Sequence, residues 1–226
     1  FALAVTGRYL MSDVKLQSVD SNSDSASSFA VDISGFYQSD EKSYKNFNGI
    51  WRAGFNLSNI GPRMKYEELG KKNFIPSNLK IGSAFDFIFD SSNKVSLNLE
   101  LNKLLVPSPS VPIYNPNEQI IGYNQADVNF LSGIFKSFGD APDGFSEELK
   151  EFTVAFGLEY LYNDSFAIRA GYFNENENKG ARKYLTFGTG FKIEEINLDL
   201  SYLLSTSSVI SPLENTLRFS FTYNFY

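Results

Sequence analysis

The chain has 226 residues, a formal net charge of -6 and 42% hydrophobic residues, and no run approaches the roughly 18 apolar residues that a membrane helix needs. It holds neither cysteine nor histidine, so disulfide frameworks, thiolate chemistry and histidine-based hydrolysis are excluded for this segment, and the acidic balance gives no footprint for nucleic acid. Aromatic residues are the excess: 22 Phe and 13 Tyr against 2 Met and 1 Trp.

In chain order, alternation predicts about ten strands, near Ala2–Met11, Ser28–Gln38, Phe47–Asn59, Asn78–Asp90, Lys94–Leu105, Glu151–Tyr162, Ser165–Phe173, Lys183–Ile193, Ile196–Leu204 and Asn215–Tyr226. Within them Val95, Leu97, Leu99 and Leu101 oppose Ser96, Asn98, Glu100 and Asn102. Phe152, Val154, Phe156, Leu158 and Tyr160 oppose Thr153, Ala155, Gly157 and Glu159. In the last strand Leu217, Phe219, Phe221, Tyr223 and Phe225 oppose Arg218, Ser220, Thr222 and Asn224. Successive side chains point to opposite faces, so each strand has one apolar face and one polar or small one. Strand lengths of about 9–13 residues suit tilted membrane strands. The expected fold is all-β: a single transmembrane antiparallel up-and-down β-barrel segment over 1–226. A chain that opens in mid-strand without Met reads as a processed or truncated piece of a longer one.

Connections alternate in length. Ser91–Asn93, Asn163–Asp164 and Glu194–Glu195 are tight turns, whereas Ser12–Ser27, Ile60–Ser77, Val106–Lys150, Asn174–Arg182 and Ser205–Glu214 are long. Short periplasmic turns and long outer loops place the C-terminus in the periplasm and every long loop outside. The longest, Val106–Lys150, begins as a proline-spaced extended stretch. Asp127 is then expected to cap a short helix to Phe138, with Val128, Leu131, Ile134, Phe135 and Phe138 on about one face. Gly139–Phe145 would turn the chain back toward the wall at Ser146-Glu-Glu-Leu-Lys-Glu. The loop either carries apolar anchors for a partner or folds over the barrel mouth and buries them on itself.

Arg8, Asp32, Arg52, Lys80, Asp86, Glu100, Glu159, Arg169, Lys192, Asp199 and Arg218 fall on the expected inner face. A mutually paired network is favoured over a selectivity path. Gly188 and Gly190 fit a strand across which inner groups must approach closely. Trp51, on the outer face, reads as a packing or interface residue. Glu67-Glu68 and Glu147-Glu148 read as solvated loop charge rather than calcium ligands; no metal or cofactor is expected, and no enzymatic activity.

Phe55-Asn-Leu-Ser-Asn-Ile-Gly-Pro-Arg-Met-Lys-Tyr and Phe74-Ile-Pro-Ser-Asn-Leu-Lys-Ile-Gly resemble the PorV/PorQ branch of the FadL-like outer-membrane barrels. Ser137-Phe-Gly-Asp-Ala-Pro-Asp-Gly-Phe-Ser-Glu-Glu-Leu-Lys-Glu and Ser211-Pro-Leu-Glu-Asn-Thr-Leu-Arg-Phe-Ser resemble, more narrowly, the PorV (LptO) family of the type IX secretion system. The resemblance implies a barrel of about fourteen strands with an N-terminal hatch, of which this chain matches the C-terminal two-thirds. It implies a non-enzymatic outer-membrane protein that receives cargo by its C-terminal signal domain at the large translocon barrel (Sov/SprA). Cargo would then pass to an attachment complex with the PorU sortase and be anchored to lipopolysaccharide. Within that role, the expected cargo contacts are Ile134, Phe135, Phe138, Asp140, Pro142 and Phe145, with Val209, Ile210 and Pro212 from the last long loop, because apolar residues on outer loops mark binding surfaces. The alternative is a FadL-type channel for hydrophobic small molecules, against which the polar inner face argues; a general porin would need an open lumen and no protein partner.

Overall fold

The computed structural model describes residues 1–13, 25–65, 72–108, 112–116, 120–123, 128–207, 209 and 213–225. One antiparallel sheet dominates: β1 (Ala2–Ser12), β2 (Ala26–Gln38), β4 (Asn48–Ile60), β5 (Asn78–Ile88), β6 (Asn93–Leu104), β9 (Phe152–Tyr162), β10 (Phe166–Asn174), β11 (Lys183–Ile193), β12 (Ile196–Ser205) and β13 (Leu217–Tyr223), paired in that order. All ten expected strands are present. A two-residue strand, β3 (Lys42–Ser43), pairs with β4, and β7 (Pro112–Tyr114) and β8 (Ile120–Tyr123) form a separate hairpin inside the longest connection. Two short helices, α1 (Phe130–Lys136) and α2 (Phe145–Lys150), follow.

The register keeps like with like. Phe55, Ile81, Leu101 and Val154 form one cross-strand row over β4, β5, β6 and β9, and Ala84, Asn98, Gly157, Gly171 and Thr186 form a row on the other face. The apolar face is left bare: Leu99 is 46% exposed, Phe187 51% and Phe219 70%. A soluble monomer rarely leaves an apolar face of this extent open, whereas a bilayer covers it. Near the β3 end Tyr44, Phe47, Trp51, Phe85, Phe87 and Phe89 make one aromatic cluster, with Trp51 edge-on to Phe85 at 4.6 Å between centroids. This is packing for Trp51, as expected, in the pattern of an interfacial aromatic belt.

The barrel expectation is met by an up-and-down wall that is not closed. Among the described residues β1 pairs only with β2 and β13 only with β12, so the two ends of the sheet present unpaired edges. Closure requires a hydrogen-bonded seam between first and last strands, which alternation within a strand does not encode.

The tight turns behave as their residues dictate. Asp90 Oδ1 accepts hydrogen bonds from the backbone N–H groups of Ser92 and Asn93 at 2.7 and 2.9 Å. Asn163 and Asp164 take φ of 50° and 51°, the left-handed pair that a two-residue hairpin turn demands and that Asn and Asp tolerate.

On the concave face the charges pair. Arg8 meets Asp32 at 2.5 Å, Lys80 meets Glu100 at 3.3 Å, and Arg52 pairs with Asp86, which also accepts from Ser96 Oγ. Arg169 bridges Glu159 and Asp199 at 2.5 Å each, crossing β11 at Gly190 to reach a strand two places away. A methyl at Gly190 would stand 2.6 Å from Asp199 Oδ1 and 2.9 Å from Arg169 Nη1, so the bare glycine makes this bridge possible. The favoured reading of the inner charges, a paired network, therefore holds for nine of the residues named. The wall encloses an open concavity of about 1020 Å³ lined by Arg52, Lys80, Glu100, Glu159, Arg169 and Asp199. At its far end the segment after β4 folds inward: Met64 and Ile75 pack on Ala26 and Ala30 of β2, and Ser28 Oγ donates to Pro62 O at 2.8 Å.

Candidate partner-binding loops

The surface begins with an anomaly in β6. Lys103 lies in register with Leu79 and Phe152, and by alternation it shares the outer, apolar face with Leu101. A lysine there is only 1% exposed. What covers it is the long connection, through Phe138, Glu148 and Glu151.

Asn129 starts α1: its side chain accepts from Ser132 N at 2.8 Å and satisfies one of the free N–H groups of the first turn. The expected cap, Asp127, lies outside the described residues, and the helix ends at Lys136 rather than at Phe138. Gly133 and Ile134 turn inward, with Gly133 so close to the Phe74 ring that a Cβ would stand 2.5 Å from it. Ser137 is fully buried and donates to Ile134 O at 2.7 Å. Asp140 Oδ2 accepts from Ser108 N at 2.8 Å, tying the turn to the start of the loop. Gly144, at φ 75°, opens α2 in a conformation that side-chain-bearing residues rarely adopt.

Helix α2 and the residue that ends it carry Glu147, Glu148 and Glu151, and all six carboxylate oxygens are engaged. Glu148 takes Lys103 Nζ at 2.6 Å and Ala141 N at 3.3 Å. Glu151 takes Lys103 at 2.7 Å on one oxygen and Lys179 at 3.0 Å on the other. Glu147 takes Lys179 at 2.8 Å and Asp143 N at 2.9 Å. Lys103 also lies over the rings of Phe138 and Phe152, at 5.7 and 5.3 Å from their centroids.

These contacts set the acidities. Glu147 is held below the ordinary glutamate value by its hydrogen bond from Lys179, then by that from Asp143 N. Burial pushes Glu151 up, but the hydrogen bonds from Lys103 and Lys179 outweigh it and the net displacement is downward. Lys179 is raised, first by Glu147.

The network reaches a second loop. Lys179 lies between β10 and β11, where Glu175 grips Arg182 through two hydrogen bonds of 2.6 and 3.0 Å and Arg182 caps the Phe173 ring. The last long loop joins in turn, Ser207 Oγ donating to Ala181 O and Thr206 N to Lys183 O at 2.9 Å. Three connections are thus fastened into one unit.

The expected contact residues divide. Phe135 and Phe145 are the most exposed, at 76% and 78%, and Pro142 and Val209 are also exposed. Phe138 rests on Lys103 and is half-exposed. Ile134, expected as an outward anchor, is instead buried at 8%, because the turn of α1 that shows Phe135 to solvent points its neighbour at the wall. Ile210 and Pro212 lie outside the described residues, as does Glu67-Glu68. Glu147 and Glu148 are not solvated loop charge: they are the lysine ligands of the unit, and Glu148 is buried. Among the described residues no group of His, Asp and Glu could hold a metal ion. Sequence reasoning missed Leu149 and the outward role of Leu131. Their signal was the i,i+4 spacing of Leu131 with Phe135 and of Phe145 with Leu149. It missed Lys103 entirely, since nothing in its flanks marks a lysine as buried.

A model of the family described as type IX secretion system protein PorV matches residues 1–111. The match spans β1 to β6 and ends as the long connection begins, before either helix. No curated protein matches the chain.

Proposed function

We propose that this chain, whose residues 1–111 match the PorV family of type IX secretion system proteins, is a non-enzymatic outer-membrane carrier. It binds the C-terminal signal domain of secreted cargo at the translocon barrel (Sov/SprA) and delivers it to the attachment complex with the PorU sortase. The lipid-covered wall lets the carrier move in the plane of the membrane, and the fastened loops, on the extracellular side, receive the cargo. One observation carries this reading: Phe135 and Phe145 are held far out of the loop by short helices whose other sides are fixed to the wall. Exposed aromatics on an ordered support are the usual core of a protein interface. The contact set is Phe135, Phe138, Pro142, Phe145 and Val209, and from the sequence Ile210 and Pro212 are counted with it, while Ile134 and Asp140 support it from within. The polar, ion-paired concave face speaks against a channel for hydrophobic small molecules.

Replacing Phe135 and Phe145 together by Ser is expected to abolish surface display of cargo while the amount of barrel in the outer membrane is unchanged. Normal display by that double variant overturns the proposal.

A further inference from the structure

We propose that Asp32 is a positioning residue for the receiving loops: from inside the wall it fixes, through Asn59 and the inward strap after β4, where α1 carries Phe135. The inference rests on the carrier reading above for what α1 receives.

Asp32 lies on the inner face of β2 and is only 4% exposed. Both of its oxygens are matched. Oδ2 accepts from Arg8 Nε of β1 at 2.6 Å, and Oδ1 accepts from the backbone N–H of Asn59 at 2.8 Å. The second bond forms at a break in the ladder. Val31 pairs with Ile60 but Ile33 with Leu57, so β4 spends one residue more than β2 over that step, a bulge. Asn59 takes a φ of 56°, a left-handed conformation that Asn tolerates better than most residues. A buried ion is a poor source of net stability beside apolar packing; its better-attested use is to fix one arrangement among several.

What is fixed here is the strap. Its described arms, 61–65 and 72–77, are joined by the reciprocal backbone hydrogen bonds of Met64 and Asn73 at 2.8 and 2.7 Å, and Met64 and Ile75 are buried on Ala26 and Ala30 of β2. Asn59 closes the strap at its base: its side-chain amide donates to Pro76 O at 3.0 Å, and its carbonyl accepts from Ser77 Oγ at 2.6 Å. One residue thus links the buried carboxylate to both ends of the strap. Phe74, with the Arg63 guanidinium 5.1 Å from its centroid, packs against α1 at Gly133, where a side chain would collide with the ring and crowd Pro107. Ser77 O accepts from Leu105 N at 2.7 Å, so the strap also holds the point where the long connection leaves β6. The helix rests on the strap and the strap on Asp32, each step a direct contact between packed or hydrogen-bonded groups. A mount ordered in advance lowers the entropic cost of binding, so a loosened strap is felt as weaker binding rather than as a lost barrel.

The test is a distance. The chain has no cysteine, so spin labels at Lys136→Cys on α1 and Ser91→Cys in the turn between β5 and β6 report where the helix stands on the wall. They are read in the whole protein in lipid nanodiscs, without cargo. Wild type is expected to give one narrow distance. Asp32→Ala removes both bonds, and Phe74→Ala removes the contact beneath α1 without touching the wall. Each is expected to replace the narrow distance by a broad one while the protein keeps the heat-dependent gel mobility of a folded barrel. Asp32→Asn keeps an oxygen for the Asn59 N–H and should restore the narrow distance, though not the pairing with Arg8. A cargo signal domain should bind the alanine variants about tenfold more weakly if α1 then holds its place a tenth of the time. A narrow, unshifted distance in folded Asp32→Ala, with only its resistance to denaturant lowered, makes Asp32 a purely stabilising residue and overturns the proposal. If Asp32→Ala does not insert, Phe74→Ala decides, and an unchanged distance there overturns the proposal as well. Failure of the wild type to bind any signal domain defeats the carrier reading, whereas the distances report the placing of α1 independently of it.

Discussion

Gly61 and Gly190 look alike in the sequence and differ in what a methyl group would meet. At Gly61 a Cβ would press into the carbonyl oxygen of Phe29 and stand 3.1 Å from Ala30 Cα, both backbone atoms of β2 that cannot swing aside. At Gly190 it would meet only the tips of Asp199 and Arg169, which can. Gly61→Ala is therefore expected to cost about 1–3 kcal/mol, the range for forcing extra volume into packed structure. Gly190→Ala should displace the Arg169–Asp199 bridge yet leave Arg169 on Glu159, and Arg169 is 42% exposed, so the loss stays below about 1 kcal/mol. Urea unfolding of the two variants in matched vesicles checks the order. A larger loss at Gly190 than at Gly61 would refute the distinction between hard backbone and soft side-chain tips.

Among elements, α2 matters beyond its size because its glutamates hold two lysines from two other segments. Glu147 and Glu151 both ionise more easily folded than free. Groups with depressed values stabilise the fold above their ordinary pKa, here 4.5, and that contribution is lost as pH falls through the lowered folded value. Acidification well below 4.5 should therefore loosen 145–151 and 175–182 before the strands β9 to β11. Hydrogen exchange after acid and neutral pulses, corrected for intrinsic rates, reads this directly, and equal protection at both would contradict it. Lys103→Met should loosen the same segments at neutral pH. It leaves Glu148 buried without its lysine, a cost of about 3–5 kcal/mol for a buried pair broken on one side. The elements also show what could be read in advance. Ten strands were legible because four or five alternating apolar residues repeat in each. β3, with two residues, has no period to read, and α2 hides its spacing behind three glutamates whose partners lie on β6 and in the 174–182 connection. The Asn129 cap and the burial of Ile134 depend on where α1 starts, and a shift of one or two residues in a helix start redirects every side chain in it.

For the whole molecule, sequence alternation predicts which face is apolar but not what covers it, and whether β1 and β13 are edges or paired lies beyond any local pattern. The bare outer face distinguishes a membrane wall from a soluble sheet, and neighbouring residues on one strand offer the test. Leu99 and Asn98 sit side by side near the middle of β6: Leu99 on the outer face between Ser83 and Phe156, Asn98 on the inner between Ala84 and Gly157. If lipid covers the outer face, an arginine at Leu99 must lie near the bilayer midplane and costs about 2–4 kcal/mol. Asn98→Arg faces the wet concavity, where Ala84 and Gly157 leave room, and should cost less than about 1 kcal/mol. In a soluble sheet the order reverses or vanishes, since a charge on a water-facing strand position is harmless. Equilibrium unfolding of the two variants from phosphocholine vesicles, against wild type, gives the difference. A Leu99→Arg protein that inserts and resists denaturant as well as Asn98→Arg would mean that the apolar face meets something other than lipid, and the proposed carrier role would lose the wall on which movement through the membrane depends.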